Sequence, residues 1–234
     1  MKKIKFLLII AIIAGFVLID ACKESFLEIT PYGSLDESVL ATYEGVDGLL
    51  IGAYSMVDGI SNMNWNPEFG WQSATSGWVF GSVRGMEANK GTDSGDQPDI
   101  NPLQTFSETS TNPYLNIKWR SLYEGVSRCN ATIITANVAK EKGTISADEA
   151  TYFIRQARAL RGFYHFEAWR LWADRTSNIY VPYVDENTDQ SELTNEEDIR
   201  DRIIEDLTEG TLLPNDMVQV GRFNKTVSQV FLAK

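Results

Sequence analysis

The sequence predicts a mainly α-helical fold interrupted by long irregular segments. Two observations carry that prediction. Apolar residues recur at spacings of three and four through five separate stretches, the pattern of helices that bury one face. Between the first and second of these lies a run, 59–112, rich in Gly, Asn, Ser, Asp and Pro, where neither the helical nor the strand period is sustained.

The chain begins with an export signal. Lys2, Lys3 and Lys5 precede an unbroken apolar run from Phe6 to Ile19, closed by Asp20-Ala21-Cys22. A basic start, a short apolar core and a small residue before the cut make a secretory signal. The run falls short of the roughly 18 apolar residues that mark a membrane-spanning helix. The placement of Cys22 predicts a lipoprotein signal over residues 1–21, removed so that an acylated Cys22 leads the mature chain. Ile19 and Ala21 suit that pattern and Asp20 departs from it. An ordinary signal peptide with an incidental cysteine is the alternative. Residues 22–33 then read as an extended, lipidated tether, and 34–234 as the helical domain.

Ser34-Leu35-Asp36-Glu37 is a capping box. It opens a helix expected over about 35–58, with Val39, Tyr43, Val46, Leu50, Ala53, Tyr54 and Val57 as its stripe. The run 59–112 interleaves Trp65, Phe69, Trp71, Trp78 and Phe80 with polar residues. A loop of that length is usually functional or disordered, and its tryptophans argue against disorder. Asn112-Pro113 supplies an N-cap and a first-turn proline. The helix they open carries Leu115, Trp119, Leu122, Tyr123, Val126, Asn130, Ile133 and Ile134 on one face, to about Ala139.

Ser146 and Glu149 form a second capping box. The longest helix follows, to about Trp172, with Phe153, Ala157, Leu160, Tyr164, Ala168 and Leu171 inward and Arg155, Arg158, Arg161 and Arg170 threaded through it. Ile179 to Val184 is a short extended piece. A third box, Thr194 to Glu197, opens a helix with Ile199, Ile203 and Leu207 inward, ended by Leu213-Pro214. From Asn224 the pattern is helical again, with Val227, Val230 and Phe231 on one face. The sequence stops at Lys234 with no cap, Gly or Pro before it. That face therefore reads as waiting for a partner in a longer parent protein.

Composition excludes several classes of function. A net charge of −11 lacks the basic footprint of nucleic-acid binding. Cys22 and Cys129 are the two cysteines, so with Cys22 lipidated there is no disulfide framework. Cys129, between Val126 and Ile133, reads as a small buried apolar residue. The single histidine, His165, has no His or Cys nearby, so no metal site is expected. Neither a phosphate loop nor a nucleophile elbow occurs, and no cofactor is expected. Acid pairs such as Glu196/Glu197 and Asp198/Asp201 lie on the outward faces of amphipathic helices. A glycosidase needs two carboxylates facing each other across a sugar, and solvated charge is the better reading.

Several segments together resemble the SusD/RagB family of outer-membrane nutrient-binding lipoproteins. Cys22-Lys23-Glu24-Ser25-Phe26-Leu27-Glu28-Ile29-Thr30-Pro31 is similar to the family's lipidated cysteine and tether. Trp119, Tyr123, Arg128 and Asn130 resemble its "W-x3-Y-x2-I-x-R-x-N" helix. Gln156-Ala157-Arg158-Ala159-Leu160-Arg161-Gly162-Phe163-Tyr164-His165-Phe166 resembles "E-A-R-x-L-R-A-x-x-Y-F", with Gln156 for Glu and Gly162 for Ala. Ile179 to Val184 sits where the family has a "G-x-V-P-L" turn. Ile204 to Leu207 with Leu213-Pro214 fits "I-x-D-L…L-P", and Gly221-Arg222-Phe223 fits "G-R-A/F". The resemblance implies tetratricopeptide-like helix pairs with a long loop insertion at about 59–112, truncated at the C-terminus. It implies a surface-exposed, lipid-anchored outer-membrane protein, not an enzyme, that binds oligosaccharide and delivers it to a TonB-dependent, SusC-like transporter. A peptide ligand, or a helical scaffold that mainly contacts the transporter, are the alternatives.

On this reading the ligand residues are Trp65, Trp71, Trp78, Asn64 and Arg84. The C–H face of a sugar stacks on an aromatic ring while polar neighbours bond its hydroxyls. Each tryptophan could equally pack the loop against the helices. Arg158 and Arg161 read as structural partners of an acidic side chain.

Overall fold

The computed structural model describes residues 37–58, 77–217 and 219–234. The signal, Cys22, the tether, Ser34, Asn64, Trp65 and Trp71 lie outside them.

The first expected helix is two. Helix α1 spans Glu37–Leu40 and α2 spans Tyr43–Asp58. At the break, Thr42 Oγ1 accepts the Gly45 N–H at 3.1 Å. A Cβ on Gly45 would lie 2.1 Å from the Leu40 carbonyl oxygen, so this close return of the chain needs glycine. Val46, Leu50 and Ala53 are buried as expected and Met56 joins them. Val39 and Tyr43, displaced by the break, are exposed.

The run 59–112 is less irregular than its composition suggests. A π-helical turn spans Trp78–Val83, and α3 spans Ile100–Thr105. Both were hidden because a π turn shifts the register of an apolar stripe and α3 is too short to show one.

Helix α4 spans Pro113–Glu141, with the Asn112 side chain accepting the Tyr114 N–H. Helix α5 spans Ala147–Trp172, and both bonds of the Ser146/Glu149 capping box are made. The short connection 142–146 folds α4 back on α5 as a helix hairpin. Helix α6 spans Arg200–Gly210 and α7 spans Lys225–Leu232, with the Asn224 side chain accepting the Val227 N–H. The described residues contain no strand, only an isolated bridge between Asp174 and Ile179.

The third capping box is a correction. Helix α6 starts after Thr194–Glu197, and its first turn is closed by Asp198, whose Oδ1 accepts the Arg200 N–H at 3.1 Å. The same oxygen accepts the Trp169 indole N–H at 2.9 Å, which fixes Asp198 against α5.

Helices α2, α4, α5, α6 and α7 enclose one core. The α6–α7 contact is unusually close. A Cβ on Gly210 would meet Ser228 Oγ at 2.0 Å and Ala159 Cβ at 2.7 Å. Helix α7 therefore buries Ser228, with Val227 and Phe231 half-buried beside it. Phe231 lies edge-on to Phe163, centroids 5.1 Å apart. Of the three residues expected to await a partner, Val230 is exposed, while Val227 and Phe231 pack half-buried against the core and also line an open apolar cleft.

Arg158 and Arg161 meet the carboxylate they were expected to need. Asp206, fully buried on α6, accepts Arg161 Nε at 2.7 Å and Nη2 at 2.8 Å. It also accepts Arg158 Nε at 2.9 Å and the Tyr183 hydroxyl at 2.8 Å. Burial alone would raise the carboxyl's pKa; the two guanidinium groups and the phenol bring it below its ordinary value. The reading that placed the acids outward misses Asp206 and the buried Glu167, which is held by Arg170 at 2.6 Å.

Cys129 is buried, as expected. His165 is buried on α5 and stacks on Tyr183, with Nε2 accepting the Val184 N–H at 3.1 Å.

Candidate functional site

Residues 77–112 form a small module with its own apolar cluster. Val79, Phe80, Val83, Ile100, Leu103 and Tyr114 are buried together. Polar bonds pin the strap that joins the π turn to α3. The Lys90 amide donates to Gln104 Oε1 at 2.9 Å, and its ammonium donates to the carbonyls of Asp93 and Asp96. The Tyr114 hydroxyl donates to Gln97 Oε1 at 2.6 Å, and Asn112 Nδ2 to the Asp99 carbonyl at 2.8 Å. Beneath the module, the ammonium of the buried Lys118 lies 5.5 Å from the Phe80 ring centre. Burial lowers its pKa to about 8, against the opposing charge of Glu167.

Of the five residues predicted to contact ligand, the described residues contain Trp78 and Arg84. Trp78 is half-buried and packs on the module's apolar cluster. Arg84 pairs with Glu108, and its guanidinium carbon lies 4.9 Å from the centre of the Phe106 ring. The two are brought onto one module, six residues apart, with Trp78 turned to its cluster and Arg84 to Phe106.

Phe106 is a residue that sequence reasoning missed. It is 54 % exposed and left-handed at φ 55°, the C-cap of α3. Met86 and Gln97 are also non-glycine residues with positive φ. These three therefore concentrate unfavourable backbone in the one module. The only hint in sequence is the setting of Phe106 within the hydroxyl-rich run Thr105–Thr111.

Two clefts lie elsewhere on the helical body. One, of about 520 Å³, is mainly apolar and bounded by Ile51, Tyr54, Phe163, Val220, Phe223 and Phe231. The other, of about 420 Å³, is more polar and bounded by Tyr123, Asn130, Ile134, Asp185, Glu186 and Gln190. Its floor is structural: Asn130 Oδ1 and Glu186 Oε2 both accept Arg161 Nη1. No cluster of three or more His, Cys, Asp or Glu able to hold a metal ion occurs among the described residues.

No family model and no curated protein matches the sequence. Solved structures do. A SusD superfamily protein from Bacteroides vulgatus superposes with a TM-score of 0.60 at 19% identity, over 81% of this chain and 38% of its own. A surface glycan-binding protein A from Bacteroides fluxus gives 0.60 at 20% identity, over 82% and 39%. A laminarin-binding SusD-like protein gives 0.55 at 19% identity, over 82% and 39%. The chain thus has the SusD-like fold of helical repeats, and spans about two-fifths of the length of these structures.

Proposed function

We propose that this chain is part of a SusD/RagB-type lipoprotein. Anchored in the outer membrane through Cys22 and exposed at the cell surface, it binds oligosaccharide and delivers it to a TonB-dependent, SusC-like transporter. The observation that carries the reading is the fold, shared with proteins described as glycan-binding and laminarin-binding. The signal anatomy ending at Cys22 supports the anchor. The module of residues 77–112, mounted on a rigid helical body, supports a ligand surface, since scaffolded loops commonly carry binding residues. The role is binding and not catalysis. The two carboxylates buried among the described residues, Asp206 and Glu167, are each held by arginine and serve the packing of α5.

Isothermal titration of the soluble protein, beginning after Cys22, with laminarin, soluble starch, xylan and mannan tests the reading. Saturable heat with at least one polysaccharide, and no loss of that polysaccharide on prolonged incubation, is the expected result. No heat with any of them removes the glycan reading, and progressive hydrolysis makes the protein an enzyme.

A further inference from the structure

We propose that Phe106 is a stacking platform for a sugar ring, an assignment that rests on the glycan-binding reading above. The ring is 54 % exposed, and one face lies against Arg84, the guanidinium carbon 4.9 Å from its centre. Arg84 is itself held by the Glu108 carboxylate and reaches the Leu103 carbonyl at 3.5 Å. The ring is thus fixed from behind, which lowers the ordering cost of binding.

Its backbone points the same way. The C-cap of α3 is left-handed, a position that selects glycine. A bulky side chain there works against its backbone preference, and such outliers gather at binding sites. Packing does not account for Phe106, which lies outside both apolar clusters.

The chemistry around the ring suits a neutral polyhydroxylated ligand. Thr105, Ser107, Thr109 and Thr111 are all exposed along the run from the end of α3 to residue 111, with Thr105 and Ser107 hydroxyls 2.8 Å apart and those of Thr109 and Thr111 likewise 2.8 Å apart. These hydroxyls both donate and accept, as sugar hydroxyls do. An aromatic face flanked by hydroxyls matches the C–H face and equatorial hydroxyls of a pyranose.

The test compares Phe106→Gly, Phe106→Ala and Phe106→Trp with the wild type, by titration with the same four polysaccharides and by thermal melting. Phe106→Gly removes the ring while relieving the left-handed backbone. It should weaken binding roughly tenfold or more while melting no lower than the wild type. Phe106→Ala should bind as poorly, and Phe106→Trp should bind at least as well as the wild type. A wild type that binds while Phe106→Gly binds equally overturns the platform and leaves the glycan reading intact. A Phe106→Gly protein that loses both binding and melting temperature makes the residue structural and overturns the platform as well. A wild type that binds none of the four removes the parent reading and this one with it.

Discussion

At the scale of the residue, burial decides which charges matter. Asp206 and the surface acid Glu124 both pair with arginine, but Asp206 is wholly buried beside Arg161, whereas the Glu124 side chain is 45% exposed. Asp206→Ala leaves Arg161 buried without its bidentate partner and should cost about 3–5 kcal/mol. Glu124→Ala should cost no more than about 0.5 kcal/mol. Chemical denaturation of the two variants checks the contrast. His165 supplies a pH test. Burial lowers its pKa to about 3, against the opposing charge of Asp206. The unfolded imidazole titrates near its ordinary 6.5. Between those values the unfolded chain binds the extra proton, so this contribution to stability is complete above about pH 6.5 and is lost as pH falls toward 3. His165→Gln should flatten the fall in melting temperature between about pH 6.5 and 4.5, and an unchanged slope would remove His165 as its cause.

At the scale of the element, the sequence marks where helices can begin, and contacts decide where they do. Ser146 and Glu149 form their capping box as the sequence predicts. The Thr194–Glu197 signal is as well formed on paper, yet α6 begins at Arg200. Trp169 on α5 holds Asp198 through its indole N–H, and so selects Asp198 to close the first turn. Asp198→Ala should therefore cost about 1 kcal/mol and Thr194→Ala only a few tenths. A larger loss from Thr194→Ala in thermal melts would reverse the assignment. The break between α1 and α2 has the same origin. The stripe from Val39 to Val57 is continuous in sequence, but Gly45 lets Leu40 approach more closely than a straight helix would allow.

At the scale of the whole molecule, the proposed function turns on two features: an anchor and a presenting surface. Cys22→Ala should move the protein from the outer-membrane fraction to the soluble fraction, read by fractionation and immunoblot. Retention of the variant in membranes after a high-salt wash would place the anchor elsewhere. On the proposed reading the presenting surface is the module of residues 77–112, which is seated on α4 and α5 through Tyr114, Leu115 and Leu171. Trp78 faces that seat, so Trp78→Ala should lower the melting temperature more than it lowers affinity. Phe106 faces away from it, and its substitutions should do the opposite.

The sequence by itself determined the helical class, the starts of α4, α5 and α7, the inward stripes of α5 and α6, and the structural role of Arg158 and Arg161. These follow from local rules: side chains three and four residues apart share a face, and Ser or Asn caps satisfy free N–H groups. Only the tertiary structure decided the rest. Asp206 looks like any acid on an amphipathic helix until Arg158, Arg161 and Tyr183 converge on it from elsewhere in the chain. Phe106 looks like a core residue until its exposure and left-handed backbone are seen. Burial and convergence are properties of distant segments meeting, which no local spacing encodes.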